Sequence, residues 1–260
     1  MTSDQRERRE LSLMQKLSSP EESAPPWSLL TAALTLAAML VCLIVIGPAL
    51  ASLLLGSQQA TPDLLMLSWT LGMGATALFV LINRRGSADS WQSLRLDLRM
   101  DRRGPPLPLI ALLGVAISLF INLIISLPSG QFLPLPEVYG IGSGGPIGVI
   151  VAALLLVFLQ PLAETLVFQA LLLPSLRWTL GPWRGLVAAC LVFLLLHLIV
   201  FFAPWQAIYS VPWYGLAYPF AVCLAFSLLR VHSGSSLSVL VARVSAGLIF
   251  LLTSMALTGF

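Results

Sequence analysis

Three ionisable side chains interrupt otherwise apolar stretches of the sequence: Glu164 in QPLAETLVFQALLLPSLRW, His197 at the end of FLLLH, and Arg243 in SLSVLVARVSAG. A carboxylate and an imidazole held together make a general-base pair. The glutamate takes a proton from water or orients it, while the histidine helps to activate that water or stabilises the charge that develops. An arginine beside them can hold an oxyanion. Proton paths in transporters use the same residue types, and a lone protonated glutamate can serve simply as a hydrogen-bond donor to a neighbouring helix. Residue type leaves these readings open, so the elements that carry the three groups must narrow them.

Of the 260 residues, 58% are hydrophobic and 10% charged, and the mean hydropathy of +0.93 exceeds what a water-soluble domain of this length needs for its core. The composition predicts an all-α polytopic membrane protein. Seven apolar runs are long enough to cross a bilayer at about 20 residues each: Trp27 to Leu55, Pro62 to Ile82, Leu107 to Leu127, Pro146 to Leu173, Gly185 to Ala203, Pro212 to Leu229 and Leu237 to Leu257. The polar first 26 residues precede a run too long for a cleavable signal peptide, so a retained tail is expected. With seven spans, thirteen of the fourteen basic residues fall on one side, in the tail and after spans two, four and six. Cytoplasmic loops hold such residues, which predicts a cytoplasmic amino terminus and an external carboxyl terminus.

The division of the chain is then a polar tail (1–26), two amino-terminal spans (27–82), a basic cytoplasmic linker (83–106) and a five-helix core (107–260). The linker reads either as a short interfacial amphipathic helix, through Trp91, Leu94, Leu98 and its arginines, or as a solvated connector. The outer segment PSGQFLPLPEVYGIGSGGP is rich in proline and glycine and reads as irregular. Basic residues without aromatic interleaving or a soluble domain argue against a nucleic-acid partner. Cys42, Cys190 and Cys223 lie in apolar runs without metal or disulfide spacing and read as core residues. No H-E-x-x-H pattern is present, so neither a metal nor a cofactor is expected.

The fourteenth basic residue, Arg243, lies inside span seven. Glu164, His197 and Arg243 each stand thirteen residues from an arginine that marks the inner end of the same span, namely Arg177, Arg184 and Arg230. At 1.5 Å per residue each lies about 20 Å from its marker, so the three share one height. A charged side chain facing lipid costs about 2.5–3.5 kcal/mol even on insertion scales, so buried charges usually face one another or a polar chamber. One chamber shared by the three is the expected arrangement.

ETLVFQ (164–169), FLLLH (193–197) and GSSLSVLVARVSAG (234–247) resemble, in that order, the motifs E-E-x-x-x-R, F-x-x-x-H and H-x-x-x-N of the CAAX-processing and bacteriocin-protection family of intramembrane proteases. SLRLDLRMDRRGPPLPLIALLGVAIS is similar to the segment that leads into the family's next span, so the likeness covers 94 to about 250. The resemblance implies a bundle of membrane helices that hydrolyses peptide bonds, with Glu164 as catalytic glutamate, His197 as its partner on water, and Phe193 as the motif aromatic. Thr165 stands at the second glutamate, Gln169 at the motif arginine, Arg243 at the third-motif histidine and Gly247 at the asparagine. The water-activating pair is retained and the oxyanion pair is replaced. Arg243 either serves the oxyanion or pairs with Glu164 and holds that carboxylate away from water. The expectation is an intramembrane endopeptidase of a bacterial cell membrane acting on a membrane protein or peptide; the alternative is a catalytically silent member acting as scaffold, assembly factor or chaperone.

Overall fold

A computed structural model describes residues 12–19, 24–56, 61–85, 88–96, 106–127, 145–202 and 212–258. Among them there is no strand, and seven helices are long and apolar enough to span a membrane: Leu29–Leu55, Asp63–Arg85, Leu107–Ser126, Ile147–Leu180, Pro182–Val200, Gly215–Ser233 and Ser236–Ala256. These are spans one to seven, and the protein is an integral multi-pass membrane protein. Their boundaries follow local chemistry. Ser28 caps span one, its Oγ accepting from the Thr31 amide at 3.2 Å, and Gly56 ends it in the left-handed region at φ 63°. Gly181, at φ 87°, is the single residue between spans four and five.

Span four is the axis of the bundle. Every residue from 163 to 173 is buried, and Phe168, Leu166 and Leu171 are among the largest fully buried side chains. Span three closes on span seven where Gly114 meets the Ala242 backbone, the small-residue contact that lets membrane helices approach closely without a hydrophobic drive. The outward faces carry exposed leucines, isoleucines and phenylalanines suited to lipid, such as Leu53, Leu112, Phe120 and Ile147. Cys42, Cys190 and Cys223 are buried free thiols.

Among the described residues three π-helical stretches interrupt these helices, Cys42–Ile46, Leu154–Leu159 and Thr165–Leu172, and a fourth, Leu198–Phe202, stands at the end of span five. Each of the three ends two residues before a proline, at Pro48, Pro161 and Pro174. A proline ring crowds the carbonyl four residues back and offers no N–H, and the wider π turn accommodates both defects. This corrects the expected end of span four. Pro174 reads as a stop after Leu173, yet the helix continues to Leu180. Arg177, expected in the following loop, is therefore inside the helix and 2% exposed. Arg230 likewise lies within span six, its Nε donating to Ser236 Oγ at 3.1 Å.

Part of the tail is docked. Leu13–Ser18 forms a short helix with a capping box at Ser12 and Gln15 and with Leu17 buried. Arg177 donates to the carbonyls of Ser19 (2.9 Å), Lys16 (3.3 Å) and Pro182 (3.2 Å), and Lys16 Nζ donates to His232 O at 3.0 Å. Hydrogen bonds to a charged donor contribute about 1.5–3 kcal/mol. Arg177→Met is expected to release this helix, so that trypsin cuts after Lys16 several-fold faster in the purified protein. An unchanged cleavage rate would show that apolar packing of Leu17 holds the segment instead.

Within the linker, Ala88–Ser93 is helical, with Trp91 exposed and Leu94 fully buried. The Arg95 carbonyl accepts from the amides of Ser236 (3.1 Å) and Leu237 (3.3 Å), which caps the start of span seven. Leu98, the remaining linker arginines at 99, 102 and 103, and the outer segment at 128–144 lie outside the described residues.

Candidate functional site

Glu164, His197 and Arg243 meet in the interior. Glu164, on span four, is 1% exposed. Its Oε2 accepts from Arg243 Nη1 of span seven, and its Oε1 accepts from Gln160 Nε2 at 2.8 Å and lies 3.5 Å from His197 Nε2 of span five. Three separate spans thus supply one cluster, and lipid meets no uncompensated charge. The contact between Arg243 and Glu164 is single: Arg243 Nε and Nη2 are buried and make no hydrogen bond.

Phe193 organises the histidine. His197 Nδ1 lies 3.0 Å from the Phe193 carbonyl one turn back. A carbonyl can only accept, so Nδ1 carries hydrogen and Nε2 is the nitrogen turned to the carboxylate. The Phe193 ring lies against the imidazole, with centroids 4.1 Å apart, and meets Phe168 edge-on at 4.8 Å. The same ring, with Phe226 of span six, flanks Arg243, whose guanidinium carbon lies 5.4 Å from the Phe193 centroid and 4.8 Å from that of Phe226. Such cation–π contacts suit a guanidinium held away from water. His197, with 16% of its side chain exposed, is the most accessible of the three ionisable groups.

The remaining motif positions lie nearby without joining the cluster. Thr165 and Gln169 are fully buried in the π stretch, and their side-chain polar atoms make no hydrogen bond. Gly247 packs against the span-four backbone: a Cβ there would collide with the Leu156 carbonyl oxygen. An asparagine at this position has no room. Gly247→Asn, which restores the motif residue, is expected to destabilise the protein by about 1–3 kcal/mol as an overpacked site, measured as a lowered thermal midpoint in detergent. An unchanged midpoint would show that spans four and seven part readily.

Sequence reasoning missed Gln160 and Phe226. Gln160 was visible in principle, since it lies one turn before Glu164 on the same helical face. Phe226 carries no polar signal and is indistinguishable from a core aromatic. Among the described residues no group of three His, Cys, Asp or Glu side chains is placed to hold a metal.

A polytopic helical bundle with a buried glutamate–histidine pair on adjacent helices defines a membrane protein with an intramembrane polar site. Residues 146–249 match the family model described as type II CAAX prenyl endopeptidase Rce1-like. The match covers spans four to six and span seven as far as Ile249, and so includes all the motif positions. Over this segment, less than half of the chain, the protein is similar to that family of CAAX prenyl endopeptidases. The matched segment begins at 146, so span three and the linker, which the motif resemblance includes, lie outside it. No curated protein and no solved structure shows a significant match to the chain.

Proposed function

We propose that the protein is an intramembrane endopeptidase in which Glu164 and His197 activate water and Arg243 stands in for the family's oxyanion donors. The observation that carries this reading is the convergence of the pair with a guanidinium that keeps two buried donors, Nε and Nη2, free of other hydrogen bonds. Buried charged donors without partners are costly, and an oxyanion between them is the ligand they suit. In the reaction Glu164 Oε1 takes a proton from water as its oxygen adds to the scissile carbonyl carbon. The carbonyl oxygen, now an anion, is held by Arg243. The C–N bond then breaks, the proton passes from the Glu164–His197 pair to the departing nitrogen, and a carboxyl and an amine terminus result. The substrate is a membrane protein or peptide, and the amino terminus faces the cytoplasm of a bacterial cell.

A second reading has its own support. Both Glu164 oxygens are engaged by Arg243, Gln160 and His197, and the carboxylate is almost fully buried. That favours a silent member serving as a membrane scaffold, assembly factor or chaperone. Polypeptide termini in membranes of cells expressing the wild type or Glu164→Ala separate the two. New termini that depend on Glu164 support hydrolysis; identical sets of termini leave the scaffold.

A further inference from the structure

Spans four and seven carry a run of buried polar atoms without hydrogen-bond partners: Thr165 Oγ1, Gln169 Oε1 and Nε2, and Ser238 Oγ, in addition to the two Arg243 donors. Thr165, Gln169 and Ser238 are each 0% exposed. Apolar side chains of similar shape would pack there without the desolvation these groups suffer. Spans four and seven run in opposite directions, as the contacts of Leu156 with Gly247 and of Glu164 with Arg243 show. Ser238, five residues before Arg243, therefore lies on the Arg177 side of Glu164, as Thr165 and Gln169 do. Thr165 adjoins Glu164, and Gln169 lies one turn further toward the Arg177 end. The π stretch that bears both packs against span seven.

The shared chemistry of the three is neutral and two-sided. A primary amide presents donors and an acceptor together, and each hydroxyl can do either. An acyl chain has nothing to offer such groups, and a helical segment has already used its backbone N–H and C=O groups internally. An extended polypeptide presents both at each residue. We propose that Thr165, Gln169 and Ser238 form a seat for the unwound backbone of a membrane polypeptide beside the bond to be cleaved. This rests on the hydrolytic reading of Glu164 and His197 and gives it a substrate class: segments that leave the helical state, bound through the main chain irrespective of side-chain sequence.

The test uses the full chain purified in detergent, comparing wild type with Gln169→Met, Thr165→Val and Ser238→Ala. Groups without resting partners predict a thermal midpoint that holds or rises, by up to about 4 °C for each substitution. A fall of that size would show resting-state partners and overturn the seat. Substrate junctions are first identified as termini that depend on Glu164, and a synthetic peptide spanning one is then assayed. Gln169→Met is expected to lower kcat/KM at least tenfold, mainly through KM. Unchanged kinetics overturn the seat while the protease stands, as does a loss confined to kcat, which would assign these groups to water. If no terminus depends on Glu164, the hydrolytic reading falls and the seat falls with it.

Discussion

Arg243→Ala is expected to lower the stability of the purified protein by about 3–5 kcal/mol, because it strands the Glu164 carboxylate in a dry interior. Gln160 and His197 remain beside that carboxylate, but neither supplies a permanent charge. Removing both members of the pair should be milder. Glu164→Ala combined with Arg243→Leu is expected to recover part of the loss, since no buried charge then lacks its partner and leucine refills space between Phe193 and Phe226. A double-mutant cycle by denaturation in detergent measures the coupling. Additive losses would mean that the two side chains act independently, contrary to their direct contact.

Catalytic loss is the second large effect. Glu164→Ala is expected to reduce peptide-bond hydrolysis by about 100- to 10,000-fold, the usual contribution of a positioned general base. His197→Ala should fall in the same range, because the imidazole stands 3.5 Å from the carboxylate and acts on the same water. On the hydrolytic reading, Phe193 acts only through what it holds. Phe193→Leu keeps the backbone carbonyl that fixes His197 Nδ1 but removes the ring against the imidazole and guanidinium. It is expected to reduce the rate less than loss of His197 does.

The span pattern was legible because bilayer crossing imposes length and apolarity directly on the sequence. The equal spacing of Glu164, His197 and Arg243 from their arginines survives as a common meeting point, although two of those markers, Arg177 and Arg230, are buried within helices. Height is set by the covalent chain, whereas the end of a span depends on how the next turn of backbone is accommodated. Pro174 reads as a terminus, but the π stretch before it absorbs the ring, and the helix runs on to Leu180. The docked helix at Leu13–Ser18 was hidden for a different reason. Its attachment runs mainly through backbone carbonyls that Arg177 reads from another helix, and no local residue pattern records such a partner. The single Arg243–Glu164 contact was also beyond sequence, since rotamer choice decides between a fork and one bond.

Hydrolysis of one peptide by wild type, Glu164→Ala, His197→Ala and the double variant tests most directly whether the buried cluster is a catalytic unit. The peptide spans a junction that depends on Glu164, and the proteins are purified and shown to be folded. Residues that act together lose nearly the whole effect when either is removed. The predicted result is therefore that both single variants match the double variant at the residual rate. Single variants that cleave as the wild type does would contradict the account and leave Glu164, His197 and Arg243 as an internal brace of the bundle.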